Sequence, residues 1–281
     1  MKVGIIGFGF VGKAIKNGLN DSVETLNIDP KLNTKIKDLV NFKADIIFIC
    51  VPTPLREDLS LDETIVFSVI NEITELNIQS LIVLKSTILP NHLNVISKKL
   101  KRFIYNPEFL REKHANDDFI NSNLIVLGGR EKETKELKDF YMNHTKCKCK
   151  ECVITDIVTA SLIKYTINSF LATKVSFFNE LKNIFIKTDA KDSWNNFITY
   201  LQRDSRLGNS HMSVPGHDGK NGFGGACLPK DSTAFLNFFI ENKLDFQVLR
   251  AAIEVNNTVR HQYNNDSRES EQNINFTKDI T

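Results

Sequence analysis

The stretch KVGIIGFGFVGKAIKNGL, residues 2–19, carries the decisive pattern: a short apolar run, a glycine-rich turn, and a segment suited to start a helix. Strand, turn and helix in that order open a βαβ unit. Within it Gly7, Gly9 and Gly12 stand in the spacing GxGxxG. The first glycine permits a tight turn, the second lets a pyrophosphate approach the backbone, and the third allows close packing of helix on strand, with the helix N-terminus facing the anion. Asp29 closes the second apolar run, 17 residues after Gly12. A carboxylate there accepts hydrogen bonds from an adenosine ribose and repels a 2′-phosphate, which favours NAD over NADP. Lys31, two residues on, argues the other way. The plain alternative is a glycine turn that merely packs.

Outward from this stretch the same grammar repeats. VETLNID (23–29), ADIIFICV (44–51), SLIVLKS (80–86), FIYNP (103–107) and NLIVLGG (123–129) read as five further strands, most of them separated by helix-length segments. Continuous apolar strands of this kind fit a parallel sheet covered on both faces. After Cys152 the pattern changes: residues 156–187 hold no Gly or Pro and support one long helix or two stacked ones. SWNNFITYLQRD, STAFLNFFIENK and VLRAAIEVNNTVRHQY add more helix. The expected fold is α/β: a Rossmann-type doubly wound parallel sheet over 1–152, followed by an all-helical domain over 153–264. Residues 265–281 have few apolar side chains and no period, so a mobile tail is expected there.

Composition agrees. At 281 residues the chain is long enough for about two domains. Hydrophobic residues at 41% and charged residues at 25% describe an ordinary globular protein. A net charge of +2 lacks the basic excess of a phosphate-tracking surface, so nucleic acid is not an expected partner. No apolar run nears the length of a membrane span, and no secretory leader is recognisable. The five cysteines, an odd number, point to a reduced, cytoplasmic compartment. Three of them lie with His144 in HTKCKCKEC: Cys147, Cys149 and Cys152. That spacing is not a standard zinc knuckle and the flanking lysines suggest an exposed connector, so no metal is expected.

GFGGACLPKD (222–231) sets Cys227 behind a glycine run and three residues before Lys230, with Asp231 next. Glycines leave room for a ligand to reach a thiol, and nearby cations favour the thiolate. An inert core cysteine explains the residue as well. On the long helix Ser161, Lys164 and Asn168 fall at i, i+3 and i+7, a polar strip that suits a site or a solvated face. Chemistry separates the options. Interconverting alcohol and carbonyl needs a base and has no use for a thiol. Oxidising an aldehyde to an acid does: a thiolate adds to the carbonyl, hydride leaves the tetrahedral centre, and water hydrolyses the thioester. Lys164 and Asn168 would then hold the oxyanion. Dinucleotide cradle and thiol together point to a dehydrogenase that runs two oxidations.

Further motifs extend the pattern: CVPTP (50–54), KST (85–87), YNPEFLRE (105–112), TASLIKYTINSFLATKVSFFNE (159–180) and DSRLG (204–208). In this order, with GFGFVG and GFGGACLPKD, they make the chain resemble the UDP-glucose/GDP-mannose dehydrogenase family over residues 3 to about 262. The resemblance implies oxidation of a nucleotide sugar at C6 to a uronate, UDP-glucose to UDP-glucuronate foremost, with two NAD and a covalent thioester. By motif position it implies Cys227 as nucleophile and Lys164 and Asn168 on the oxyanion. Asp231 would act on water or protons, Glu108 in thioester hydrolysis, and Thr87 beside the reacting centre. It implies NAD held by Gly7, Gly9, Phe10, Val11, Gly12, Asp29, Val51, Pro52, Thr53, Thr87, Glu112 and Lys230. The sugar nucleotide would lie against Glu108, Phe109, Leu110, Arg111, Lys164, Asn168 and Gly224. A homodimer through the central helices is implied as well, with Phe170, Phe177 and Phe178 along its seam.

Each residue also has a plainer reading: Glu108 and Glu112 as capping carboxylates, Arg206 as the partner of Asp204. Family members run on into a third domain that supplies part of the uridine pocket, and this chain stops after a helix near 246–263 and its polar end. That leaves weak substrate binding, another nucleotide, a partner subunit and lost activity open. Ser161 stands where an acid is more usual, and the loop PGHDGKNGFGG is longer than the family's common version. Two other readings stay in play: a single-step hydroxyacid dehydrogenase that does not depend on Cys227, and a catalytically silent subunit that binds NAD or sugar nucleotide.

Overall fold

A computed structural model describes residues 1–149 and 151–276. The chain divides into two compact units: Met1–Thr53 with Asp62–Lys164, and Pro54–Leu61 with the chain from Tyr165 onward.

The first unit is built on a seven-stranded sheet: β1 (Lys2–Ile6), β2 (Glu24–Ile28), β3 (Ile46–Ile49), β4 (Leu81–Leu84), β5 (Phe103–Tyr105), β6 (Ile125–Gly129) and β7 (Cys152–Thr155). The strand order is β2-β1-β3-β4-β5-β6-β7. Strands β1 to β5 are mutually parallel, β6 runs antiparallel to β5, and β7 runs parallel to β6. The expected parallel sheet therefore holds through β5 and reverses at its far edge. Strand β7 lay hidden because it begins on the last cysteine of the cysteine-rich stretch and Lys150, Glu151 and Asp156 flank it in sequence.

Alternation along the strands feeds two core layers. Ile47 and Ile49 face one layer with Val66, Ile70 and Ile73 of α3 (Thr64–Glu75) and Leu93 and Ile96 of α4 (Pro90–Lys99). Helix α2 (Asp38–Phe42) adds Leu39. Ile46 and Phe48 face the other layer with Ala14 and Ile15 of α1 (Phe10–Gly18), Phe119 of α5 (Ala115–Ile120), and Leu137 and Phe140 of α6 (Glu131–His144). The cysteine stretch is part of this second layer, not an exposed connector: Cys149 is buried, and Cys147 and Cys152 pack against the layer. Burial pushes the thiols of Cys147 and Cys152 up, the latter to about 11.

Helix α7 (Ile157–Lys187) is a single helix of 31 residues, and the border between the two compact units falls within it, after Lys164. The second unit continues with α8 (Trp194–Leu201), α9 (Leu228–Glu241), α10 (Gln247–Arg260) and α11 (Ser267–Glu271). Phe178 of α7 packs with Ile198 of α8, Met212 and Val214. Phe235 of α9 stacks on Tyr165 with ring centroids 4.9 Å apart.

Residues 265–276 are not a loose tail. Asp266 and Glu269 form a reciprocal capping box on α11, and Glu269 is fully buried with its carboxylate on Arg260 (2.6 Å) and on the Gly225 amide (3.0 Å). Beyond the helix, the Gln272 carbonyl accepts from the Leu55 amide, and Ile274 and Phe276 are buried. An apolar-periodicity reading misses such a segment because a buried ion pair and caps, not an apolar face, seat it. Residues 277–281 of the expected tail lie outside the described residues.

Candidate active site

The candidate side chains fall into two sets, one in each unit. In the first, the sheet changes winding direction between β1 and β3, the position at which α/β sheets open a crevice beyond their strand ends. Gly7 sits there at φ +88°, and a side chain on it would strike the Cys50 carbonyl at 2.6 Å. Gly12 packs so tightly that an added Cβ would lie 2.3 Å from the Gly7 carbonyl oxygen. Gly9, the N-cap of α1, is the reverse case: an added Cβ would meet nothing within 4 Å, and no side chain caps the helix start. Phe10 and Val11 are the first residues of that helix. Asp29 follows β2 and aims its carboxylate back at the turn, accepting from the Phe8 amide (2.8 Å) and the Lys31 amide (2.9 Å). Two amides leave lone pairs on a carboxylate for ribose hydroxyls. An open second glycine, an uncapped helix start and an acid beside the turn fit a dinucleotide.

Val51 and Thr53 are buried at the end of β3 and Pro52 is exposed between them. Ser86, donating to the Val51 carbonyl at 2.7 Å, ties this end to the end of β4, where Thr87 lies half-buried. Glu112 stands exposed in a 3-10 turn. Glu108 and Phe109 meet Lys164 of α7: the Lys164 ammonium donates to the Glu108 carbonyl and lies 5.3 Å from the centre of the Phe109 ring. Leu110 donates its amide to the Glu108 carboxylate. The guanidinium of Arg111 is clamped by Asp118, with contacts of 2.7 and 3.0 Å. That clamp, aided by the shared backbone amide, holds the Asp118 carboxyl below the usual carboxylate range.

In the second unit, Asn168 of α7 donates to Asp231 of α9 at 2.6 Å, and Lys230 donates to the other oxygen of the same carboxylate at 2.6 Å. All three are buried. Cys227, half-buried, is the N-cap of α9, and its carbonyl accepts the Asp231 amide at 2.8 Å. Gly224 lies on the preceding loop, where a side chain would collide with Arg260 and Glu269. That loop is pinned on α10: Asp218 pairs with Arg260 at 2.8 Å. Arg206 is exposed and takes its plainer partner, Asp204.

Ser161, Lys164 and Asn168 are all buried, so the polar strip of α7 is not a solvated face. Ser161 donates to the Ile88 carbonyl at 2.8 Å and needs no acid at its position to be satisfied. Sequence reasoning missed Lys85, Asn106 and Tyr141. Lys85 is buried, with its ammonium 3.6 Å from Glu108 Oε2 and 3.3 Å from Asn106 Oδ1, and Tyr141 donates to that same Asn106 oxygen at 2.6 Å. The signal was available: a lysine that ends the apolar run SLIVL has little water to reach.

Profiles of two domains match the chain: the UDP-glucose/GDP-mannose dehydrogenase family NAD binding domain over residues 15–145, and the central domain of the same family over residues 158–258. The chain belongs to the UDP-glucose/GDP-mannose dehydrogenase family. Its first unit carries the family's NAD-binding domain. Among curated relatives, UDP-glucose 6-dehydrogenase of Rickettsia bellii is 39% identical over 228 residues, covering 78% of this chain and 50% of that protein. The enzyme of the same name from Rickettsia prowazekii is 32% identical over 297 residues, covering 91% of this chain and 67% of that protein. A solved UDP-glucose dehydrogenase from Pyrobaculum islandicum superimposes with a TM-score of 0.76 at 24% identity, over 92% of this chain and 68% of that one. The chain thus spans about half to two thirds of the length of the family relatives it matches.

Proposed function

We propose that this member of the family oxidises a nucleotide sugar at C6 to the uronate in two steps, UDP-glucose to UDP-glucuronate being the first conversion to test. The observation that carries the reading is the buried Asn168–Asp231–Lys230 cluster one helical turn from Cys227. A buried carboxylate with an amide and an ammonium on it, behind a half-exposed thiol at a helix start, suits covalent acyl chemistry. The positive end of α9 favours negative charge on the sulfur.

NAD, when bound, takes up hydride in each oxidation. Everything else falls to side chains. Cys227 Sγ adds to the C6 aldehyde, Lys164 and the second N–H of Asn168 donate to the oxyanion, and loss of hydride leaves a thioester on Cys227. Glu108 takes a proton from the water that cleaves it, with Thr87 assigned beside the reacting centre, and a proton returns to the released Cys227 sulfur through Asp231 and its neighbours. The balance is one alcohol, two NAD and one water to one carboxylate, two NADH and three protons. Gly7, Gly9, Phe10, Val11, Gly12, Asp29, Val51, Pro52, Thr53, Glu112 and Lys230 are assigned to NAD; Phe109, Leu110, Arg111 and Gly224 to the sugar nucleotide. Arg111 would have to leave Asp118 to reach it.

The protein would act as a homodimer in the cytoplasm, where thiols stay reduced. Of the expected seam, Phe178 is buried against Ile198, whereas Phe170 and Phe177, with Ile184, recur every seven residues along α7, each about 60% exposed, and would form the seam to a second copy. Assaying NADH with UDP-glucose, UDP-N-acetyl sugars and GDP-mannose tests the activity. Two NADH per sugar, lost in Cys227→Ser, is the expected result. One NADH per substrate with the variant still active means a single-step dehydrogenase, and no turnover with any of them means a silent subunit.

A further inference from the structure

We propose that Lys85 is a positioning residue for Glu108, aiming its carboxylate for thioester hydrolysis; the proposal rests on the role given to Glu108 above. Lys85 is fixed from both ends. Its amide donates to the Ile49 carbonyl at 2.9 Å, extending the β3–β4 ladder by one residue, and its side chain is only 6% exposed. Among the described residues Glu108 is the one carboxylate within ion-pair reach of it. A buried ammonium without such a partner is strongly unfavourable, so each charge requires the other.

The geometry also says what the pair leaves available. At 3.6 Å the contact is an ion pair and not a hydrogen bond, so Glu108 Oε2 keeps its acceptor capacity for a water. Oε1 is held by the Leu110 amide. Asn106, oriented by Tyr141 at 2.6 Å and by its own bond to the Val126 carbonyl at 2.8 Å, takes a proton of the ammonium and fixes its direction. The other titratable groups facing Glu108 are Cys50 from the end of β3, Tyr141 from α6, and Lys164 from α7, which meets the main-chain carbonyl. Burial, reinforced by the Glu108 charge, pushes Cys50 up to about 12 and Tyr141 well above its ordinary range. Both are neutral at physiological pH, which leaves Lys85 as the cation set against the carboxylate itself.

The experiment is a cycle of variants: Lys85→Met, Lys85→Arg, Glu108→Gln, and Lys85→Met with Glu108→Gln. NADH formed and intact-protein mass are followed with the sugar nucleotide that wild type oxidises. Lys85→Met should form both NADH of a first turnover, accumulate an acyl adduct on Cys227 and turn over slowly thereafter. Lys85→Arg should restore turnover and clear the adduct, and the double variant should be no slower than Glu108→Gln. If Lys85→Met slows Glu108→Gln further by its own full factor, or if Lys85→Arg restores nothing, the proposal falls. A Glu108→Gln variant that oxidises the sugar yet accumulates no adduct sinks the thioester reading instead. Should Lys85→Met fail to fold, Lys85→Gln serves in the same comparisons.

Discussion

Gly9 and Gly12, three residues apart, put opposite constraints on one loop. Gly9 faces open space, so Gly9→Val should leave stability within about 0.5 kcal/mol of wild type while abolishing NAD binding, as followed by thermal shift and calorimetric titration. Gly12 faces the Gly7 carbonyl, so Gly12→Ala should cost about 1–3 kcal/mol in a urea melt even without NAD. Equal losses of stability in the two variants would contradict this division. The spacing of the glycines was legible in sequence; which one the cofactor needs and which one the fold needs was not, since that depends on what stands opposite each α-carbon. The cysteines separate likewise. Burial pushes the Cys50 thiol up to about 12, so iodoacetamide at pH 8 should modify half-buried Cys227 well before Cys50, read by peptide mass mapping.

Helix α7 shows how one element serves several ends. Asp156 caps it, accepting from the Val158 and Thr159 amides at 2.9 Å and from the Thr159 hydroxyl at 2.6 Å. The Thr159 hydroxyl and amide hold the Asp156 carboxyl below its ordinary value. A carboxylate lowered in the folded state contributes stability that is complete above its unfolded pKa of about 3.9 and is lost as pH falls through the folded value. Asp156→Ala should therefore cost about 1 kcal/mol at pH 7, and the difference between the two melting curves should shrink as pH drops below about 4. Further along, the helix buries Ser161, Lys164 and Asn168 and exposes Phe170, Phe177 and Ile184. Phe170→Ser with Phe177→Ser should convert a dimer to a monomer in sedimentation without lowering the melting temperature of the isolated chain. A wild type that sediments as a monomer would remove the seam. Periodicity located this helix within one residue, but its polar strip was ambiguous until its burial was known.

At the scale of the molecule, the chain's last described residues complete the second unit. Arg260 is buried between Asp218 and Glu269, with the rings of Tyr263 and Phe276 beside its guanidinium. A chain ending at Asn264 would leave that guanidinium with one of its two carboxylates and should lose about 3–5 kcal/mol, the scale of breaking a buried pair. Glu269→Gln should lose less than the truncation, since its amide oxygen still accepts a hydrogen bond; a truncated chain as stable as the full one would show that the pair contributes nothing. Residue order alone was enough for the cradle, the long helix, the thiol with its neighbouring lysine and acid, and the family they announce, because each rests on local period or spacing. The reversal at β6, the hidden β7, the capped segment at 265–276 and the Lys85–Glu108 pair came only with folding. Each depends on a partner far away in the chain, and a buried charge declares its role only when the opposite charge is seen beside it.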